Sequence, residues 1–199
     1  SPNNPTGVVY SKETLEHLAQ VLEEASNKYH RPIYIISDEP YREIAFSGVE
    51  VPYVPHFYKN TLVCYSYSKS LSLPGERVGY IAFTDEISDA NSMLGVIGAS
   101  ARKLGYVGVP SLFQMVVRDC VNDTVDITVY EKNKDILYKS LTQMGYEVVE
   151  PGGTFYMFPK ALEEDARAFC ERAKKYDLLL VPSDSFACKG HLRISYCVP

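Results

Sequence analysis

Leu62-Val63-Cys64-Tyr65-Ser66-Tyr67-Ser68-Lys69 decides how this chain is read. Four apolar residues follow one another without polar alternation. Such a run fits a strand buried on both faces, as in a parallel sheet under helices. It then breaks into hydroxyls and a lysine. In open α/β sheets, ligands sit beyond the carboxyl ends of strands. Ser66, Ser68 and Lys69 fall at such an end.

The pattern recurs upstream. Ile33-Tyr34-Ile35-Ile36 follows Pro32 and ends in Ser37-Asp38-Glu39-Pro40-Tyr41. If the two strands are parallel neighbours, Asp38 and Lys69 emerge at one sheet edge. Val78-Gly79-Tyr80-Ile81-Ala82-Phe83 reads as a third strand. Ser11 caps a helix whose Leu15, Leu18, Leu22 and Ala25 recur at helical spacing. The opening SPNNPTG, with its prolines, asparagines and glycine, reads as a turn.

Downstream, residues 85–103, 111–121 and 125–144 read as helices, and Gly145 stands at the C-terminal cap of the last. Beyond it the style changes. Short strands at 146–150, 154–159, 178–182 and 192–197 surround one amphipathic helix at 162–175. The expectation is an α/β layer over residues 1–124 and a smaller α+β piece over 125–199, joined by the long helix. Ser1 falls inside a turn and Pro199 follows an apolar run, so both ends read as cuts through a longer protein.

Composition excludes several functions. The 199 residues carry a formal net charge of −5 and no long Lys/Arg run. Phosphate neutralisation supplies most nucleic-acid affinity, so a nucleic-acid partner is not expected. No apolar run approaches the roughly 18 residues of a membrane span, and no signal peptide opens the chain. The five cysteines are odd in number and widely spaced, and the four histidines are scattered. That argues against a disulfide framework or a metal site and for a reducing cytoplasm. No G-x-G-x-x-G follows a strand and no G-x-S-x-G is present, so dinucleotide binding and serine hydrolysis are poorly supported.

Taken singly, Asp38 reads as a turn or cap acid, Lys69 as a solvated charge in a serine-rich loop, and Tyr41 as packing. Together they read differently. Ser66, Ser68 and Lys69 are followed by Arg77, eight positions after the lysine. Hydroxyls and a guanidinium fork are natural phosphate ligands. A lysine beside them can form an imine with an aldehyde. An acid across the site can pair with a pyridinium nitrogen.

Five segments now resemble, in order, the motifs of class I/II, fold-type I aminotransferases that depend on pyridoxal 5′-phosphate (PLP). They are Asn4-Pro5-Thr6-Gly7, Asp38-Glu39-Pro40-Tyr41, Ser66-Tyr67-Ser68-Lys69 with Glu76-Arg77-Val78-Gly79, Gly152-Gly153-Thr154-Phe155-Tyr156, and Arg193-Ile194-Ser195-Tyr196. The resemblance implies a mixed, mostly parallel PLP-binding sheet with flanking helices, then a small C-terminal domain. It implies Lys69 as the Schiff-base lysine and proton carrier, and Asp38 as partner of the pyridine nitrogen. Tyr41 and Asn4 would bond the cofactor's 3′ oxygen, and Ser66, Ser68 and Arg77 its phosphate. Arg193, helped by Asn4, would clamp the substrate carboxylate. A cis Asn4–Pro5 bond is also implied.

The activity so implied is amino-group transfer between an amino acid and a 2-oxo acid, by a cytoplasmic homodimer of amino-acid metabolism. A β-lyase or decarboxylase on the same scaffold would share Lys69 and Asp38. A non-catalytic fragment is the alternative outside PLP chemistry, because family members are about twice this length. Cys188 and Lys189, just before Arg193, read as a simple loop. The donor amino acid is not specified.

Overall fold

The computed structural model describes residues 1–197. The chain divides into two compact units that alternate along the sequence. A lysine-bearing unit comprises Tyr10–Pro40 and Pro52–Val125. An arginine-bearing unit comprises Ser1–Val9, Tyr41–Val51 and the chain from Asp126 onward. A boundary thus falls at 125/126, while two upstream stretches group with the C-terminal unit.

The lysine-bearing unit is α/β. Helix α1 (Lys12–Tyr29) starts where Ser11 Oγ accepts from Thr14 N, and it buries Leu15 and Ala19. Strands β1 (Ile35–Asp38), β2 (Thr61–Ser66) and β3 (Gly79–Ala82) form a mixed sheet in that order. β1 and β2 are parallel, and β3 runs antiparallel to β2. Helix α2 (Tyr67–Ser70) follows β2 without a break. Helices α3 (Ala90–Lys103) and α4 (Ser111–Cys120) complete the unit.

Burial on both faces holds for β2, whose Leu62 is buried on one face and Val63 and Tyr65 on the other. It does not hold for β1 and β3: the register puts Ile36 beside Leu62 and Ile81 beside Cys64, yet Ile36 is 71% exposed and Ile81 49%. Apolar composition marks all three strands as fit for burial; this chain covers the middle one.

The arginine-bearing unit is α+β. Helix α5 (Ile127–Gln143) is capped by Asp126, whose carboxylate accepts from Thr128 N. Gly145, at φ +88°, takes the left-handed conformation expected beyond a helix end. Strands β4 (Tyr156–Met157), β5 (Val181–Pro182) and β6 (Leu192–Ser195) form an antiparallel sheet with β6 in the middle. Helix α6 (Ala166–Ala173) places Ala166 and Cys170 in a core with Ala161 and Leu192. The expected strand at 146–150 is absent, and the others are shorter than the apolar runs that announced them.

Backbone bonds explain why the upstream stretches join this unit. Gly152 N and Gly153 N both donate to Gly7 O, at 2.9 and 3.2 Å. Thr154 N donates to Ile44 O, and Phe46 N to Gly152 O. Gly153 permits this approach: a Cβ there would stand 2.4 Å from Ile44 O.

Candidate active site

In the lysine-bearing unit the condition set by the sequence is met. The parallel register puts Asp38 opposite Cys64, so Asp38 and Ser66 stand at the same carboxyl edge of neighbouring strands. The Asp38 side chain is exposed. Its charge is felt across the strand pair: burial, and secondarily the Asp38 carboxylate, push the Cys64 thiol above its ordinary pKa.

Ser66 ends β2 and caps the turn that follows. Its Oγ accepts from Ser68 N at 3.1 Å and lies 2.6 Å from Ser68 Oγ. Lys69 is half-buried on α2, in the same turn. It sits on a short helix rather than in a loop, because Ser66 supplies the helical start. Tyr65 OH and Ser70 Oγ, 2.8 Å apart and buried, brace the turn from below.

Arg77 reaches this edge through β3. Gly79 pairs with Ser66, and Tyr67 N donates to Val78 O, so the chain at Arg77 runs beside the start of α2. The approach is close: a Cβ on Gly79 would stand 2.2 Å from Tyr65 O. The exposed Arg77 guanidinium donates to Pro74 O at 2.8 Å. One sheet edge therefore carries two adjoining hydroxyls, an amine, a guanidinium and a carboxylate. These are the groups that a phosphate, an aldehyde and a pyridine nitrogen require.

Asn4, Tyr41 and Arg193 belong to the arginine-bearing unit. The turn carrying Asn4 is tied by Gly7 N to Asn3 O and by Thr6 Oγ1 to Asn3 Oδ1. Pro2 and Pro5 are buried on either side of the exposed Asn4, and the Asn4–Pro5 bond is cis. Tyr41 is buried, with its ring edge-on to Phe155 at 5.7 Å and to Tyr156 at 6.0 Å.

Arg193 lies on β6. Its Nη1 donates to Asn4 Oδ1 at 3.0 Å. Its guanidinium carbon stands 4.4 Å from the Tyr156 ring centroid and 5.0 Å from that of Phe186. Sequence reasoning gave neither ring a role. Tyr156 could have been found, since it closes the Gly152–Tyr156 motif and faces the β6 strand. Phe186 lies in an irregular 3-10 turn, where no periodicity aims a side chain. Cys188 and Lys189 do lie in a loop, and Cys188 Sγ is 3.4 Å from His191 Nδ1.

The sequence profile of the family Aminotransferase class I and II matches residues 1–199. An aspartate aminotransferase of Thermotoga maritima is 30% identical over 199 residues, which covers 98% of this chain and 50% of that protein. The aspartate/prephenate aminotransferase of Thermus thermophilus is 30% identical over 201 residues, with the same coverage. The crystal structure of the Thermotoga maritima aspartate aminotransferase superposes with a TM-score of 0.81 at 30% identity, covering all of this chain and 50% of that one. This chain thus spans about half the length of the relatives it matches. Class I and II aminotransferases are PLP-dependent enzymes. With a profile match over every residue and an α/β fold shared with those enzymes, this chain belongs to the aminotransferase class I and II family.

Proposed function

We propose that the complete protein transfers an amino group between an amino acid and a 2-oxo acid, and that Lys69 is the lysine that binds PLP. The observation that carries this reading is the parallel β1–β2 pair. It sets Asp38 and the Ser66–Lys69 turn at one sheet edge. Ser66, Ser68 and Arg77 hold the phosphate, and Asp38 holds a proton on the pyridine nitrogen. Bound PLP supplies an electron sink for the carbanion formed at the substrate Cα.

The other roles belong to the protein. The Lys69 amine takes the proton from the substrate Cα and delivers it to the cofactor carbon C4′, two atoms further along. Arg193 binds the substrate carboxylate through its fork, and Asn4 steadies that fork. Orienting the carboxylate aims the Cα–H bond, a positioning effect worth several kcal/mol. Tyr41 and Asn4 serve the cofactor's 3′ oxygen. We read residues 1–124 as the C-terminal part of the large PLP-binding domain and 125–199 as a small C-terminal domain, to which Ser1–Val9 and Tyr41–Val51 attach.

We place the enzyme in the cytoplasm as a homodimer. All five cysteines are free thiols, which supports a reducing compartment. Among the described residues no helix is long and apolar enough to cross a membrane. Leu94, Val96, Leu104 and Leu112 on and beside α3 and α4 are exposed, which supports association with further protein surface. The decisive experiment adds PLP to the complete protein and to its Lys69→Ala variant. An absorbance band at the violet edge of the visible is expected for the first and not for the second. A band that survives the substitution would remove Lys69 from the mechanism. A panel of amino-acid donors with 2-oxoglutarate then identifies the substrate.

A further inference from the structure

Arg193 and the neighbours of its guanidinium lie within a single unit. Its guanidinium has a hydrogen-bonded edge, toward Asn4 Oδ1 at 3.0 Å, and two ring neighbours, Tyr156 and Phe186. A planar cation near an aromatic ring is held by the ring's quadrupole and loses rotamer freedom. Tyr156 comes from β4, whose register puts it opposite Ser195, on the sheet face that Arg193 shares.

Phe186 is placed differently. It ends the turn Ser183–Phe186, just before Ala187 at φ +53°. Its ring stands edge-on to Phe158 at 5.9 Å, and Phe158 stacks on His191 at 5.1 Å and 11°. The His191 backbone is tied to the same turn: His191 N donates to Ser183 Oγ at 2.9 Å, and Ser183 N to His191 O at 3.0 Å. Ser183 is fully buried. The turn, the two rings and β6 therefore form one braced assembly, and its outermost ring rests against the carboxylate-binding arginine.

From this we infer that Phe186 is a positioning residue for substrate binding: its ring fixes the plane of the Arg193 guanidinium so that the fork meets a carboxylate ready-oriented. The inference rests on the proposed role of Arg193. The effect of Phe186 is on carboxylate affinity, which a ring can restore and an aliphatic side chain of similar size cannot.

The test uses the complete PLP-loaded protein and calorimetric binding of three unreactive carboxylates, isovalerate, maleate and 3-phenylpropionate, to cover different side-chain pockets. Phe186→Leu and Phe186→Met are expected to weaken the best of them by about 3–20-fold, and Phe186→Tyr to restore it. The melting temperature and the PLP absorbance band should match the parent in all three variants. Either aliphatic variant suffices if the other does not fold. Arg193→Met is the control. If it abolishes carboxylate binding while Phe186→Leu and Phe186→Met bind within about twofold of the parent, the positioning role of Phe186 is refuted and Arg193 stands. If Arg193→Met binds normally, the role of Arg193 falls and takes this inference with it. A loss in Phe186→Tyr equal to that in Phe186→Leu also refutes it, since the ring would then count for nothing.

Discussion

Arg193 Nη1 and Asn4 Oδ1 lie 3.0 Å apart although 189 positions separate them in sequence. A hydrogen bond to a charged group is worth about 1.5–3 kcal/mol when sheltered and less at an exposed site such as this. Asn4→Ala is therefore expected to raise the KM of the amino-acid donor by about 3–10-fold. Arg193→Lys loses the fork and the ring contacts together, and should lower kcat/KM by about 100-fold or more. Steady-state kinetics on the complete protein decide this. Equal losses in the two variants would contradict the division of labour.

Asp38 at the β1 end should control the protonation of the cofactor ring. An adjacent carboxylate typically moves a pKa by about 1–3 units, so Asp38→Asn should lower turnover by about 10–1000-fold. The Lys69 linkage does not need that charge. Borohydride reduction followed by peptide mapping should still find the cofactor on Lys69. An Asp38→Asn protein of parental turnover would exclude the assignment.

Gly79 is where β3 crosses closest to the Ser66 turn. A methyl group there would meet Tyr65 O at 2.2 Å and Ser66 Cα at 3.2 Å. Backbone must move to admit it, so Gly79→Ala should cost about 2 kcal/mol or more in stability. Because the displaced backbone carries Ser66, PLP affinity should fall as well. Denaturant unfolding and cofactor titration measure the two losses separately. Gly48, whose Cβ would meet nothing within 4 Å, marks the contrast in space, though its φ of +78° makes it a poor neutral control. Gly98, equally uncrowded and without a positive φ, is the better one.

Tyr196, 5% exposed, has its phenol pKa pushed up by burial, with the Thr154 side chain acting the other way. In the unfolded chain the phenol ionises near its ordinary pKa of about 10. Above that pH the unfolded state releases a proton that the folded state keeps. Stability is therefore intact below about pH 10 and falls by about 1.4 kcal/mol per pH unit above it, until the folded phenol itself ionises. Tyr196→Phe should remove this part of the alkaline loss while changing stability little at pH 7. Unfolding midpoints at pH 8 and pH 11 test it, and an unchanged pH slope in the variant would be the contrary result.

Much of the lysine-bearing unit was legible because its signals are local. Ser11 announces α1, and the apolar run at 62–65 announces β2. Asp38 and Lys69 could be placed at one edge from strand ends alone, given a parallel pair. The arginine-bearing unit was less legible. Its strands are two to four residues long, too short for alternation to show. The attachment of Tyr41–Val51 combines backbone bonds to Gly152 and Thr154 with side-chain contacts such as Ser47 to Glu131 and Tyr41 to Phe155, all distant in sequence, so no local spacing announces it. Phe186 escaped for a related reason: its direction comes from a turn held by a distant serine and histidine, and no spacing rule encodes that.

The glycine contacts between Gly7 and Gly152–Gly153 also bear on how the chain folds. Gly7 O meets its backbone partners only at Gly152 and Gly153, and Asn4 meets Arg193 only 189 positions on. Closing loops of that length costs chain entropy before any contact repays it, so the Asn4 turn should dock late in folding. The local contacts of β1 with β2, and of β2 with β3, carry no such delay.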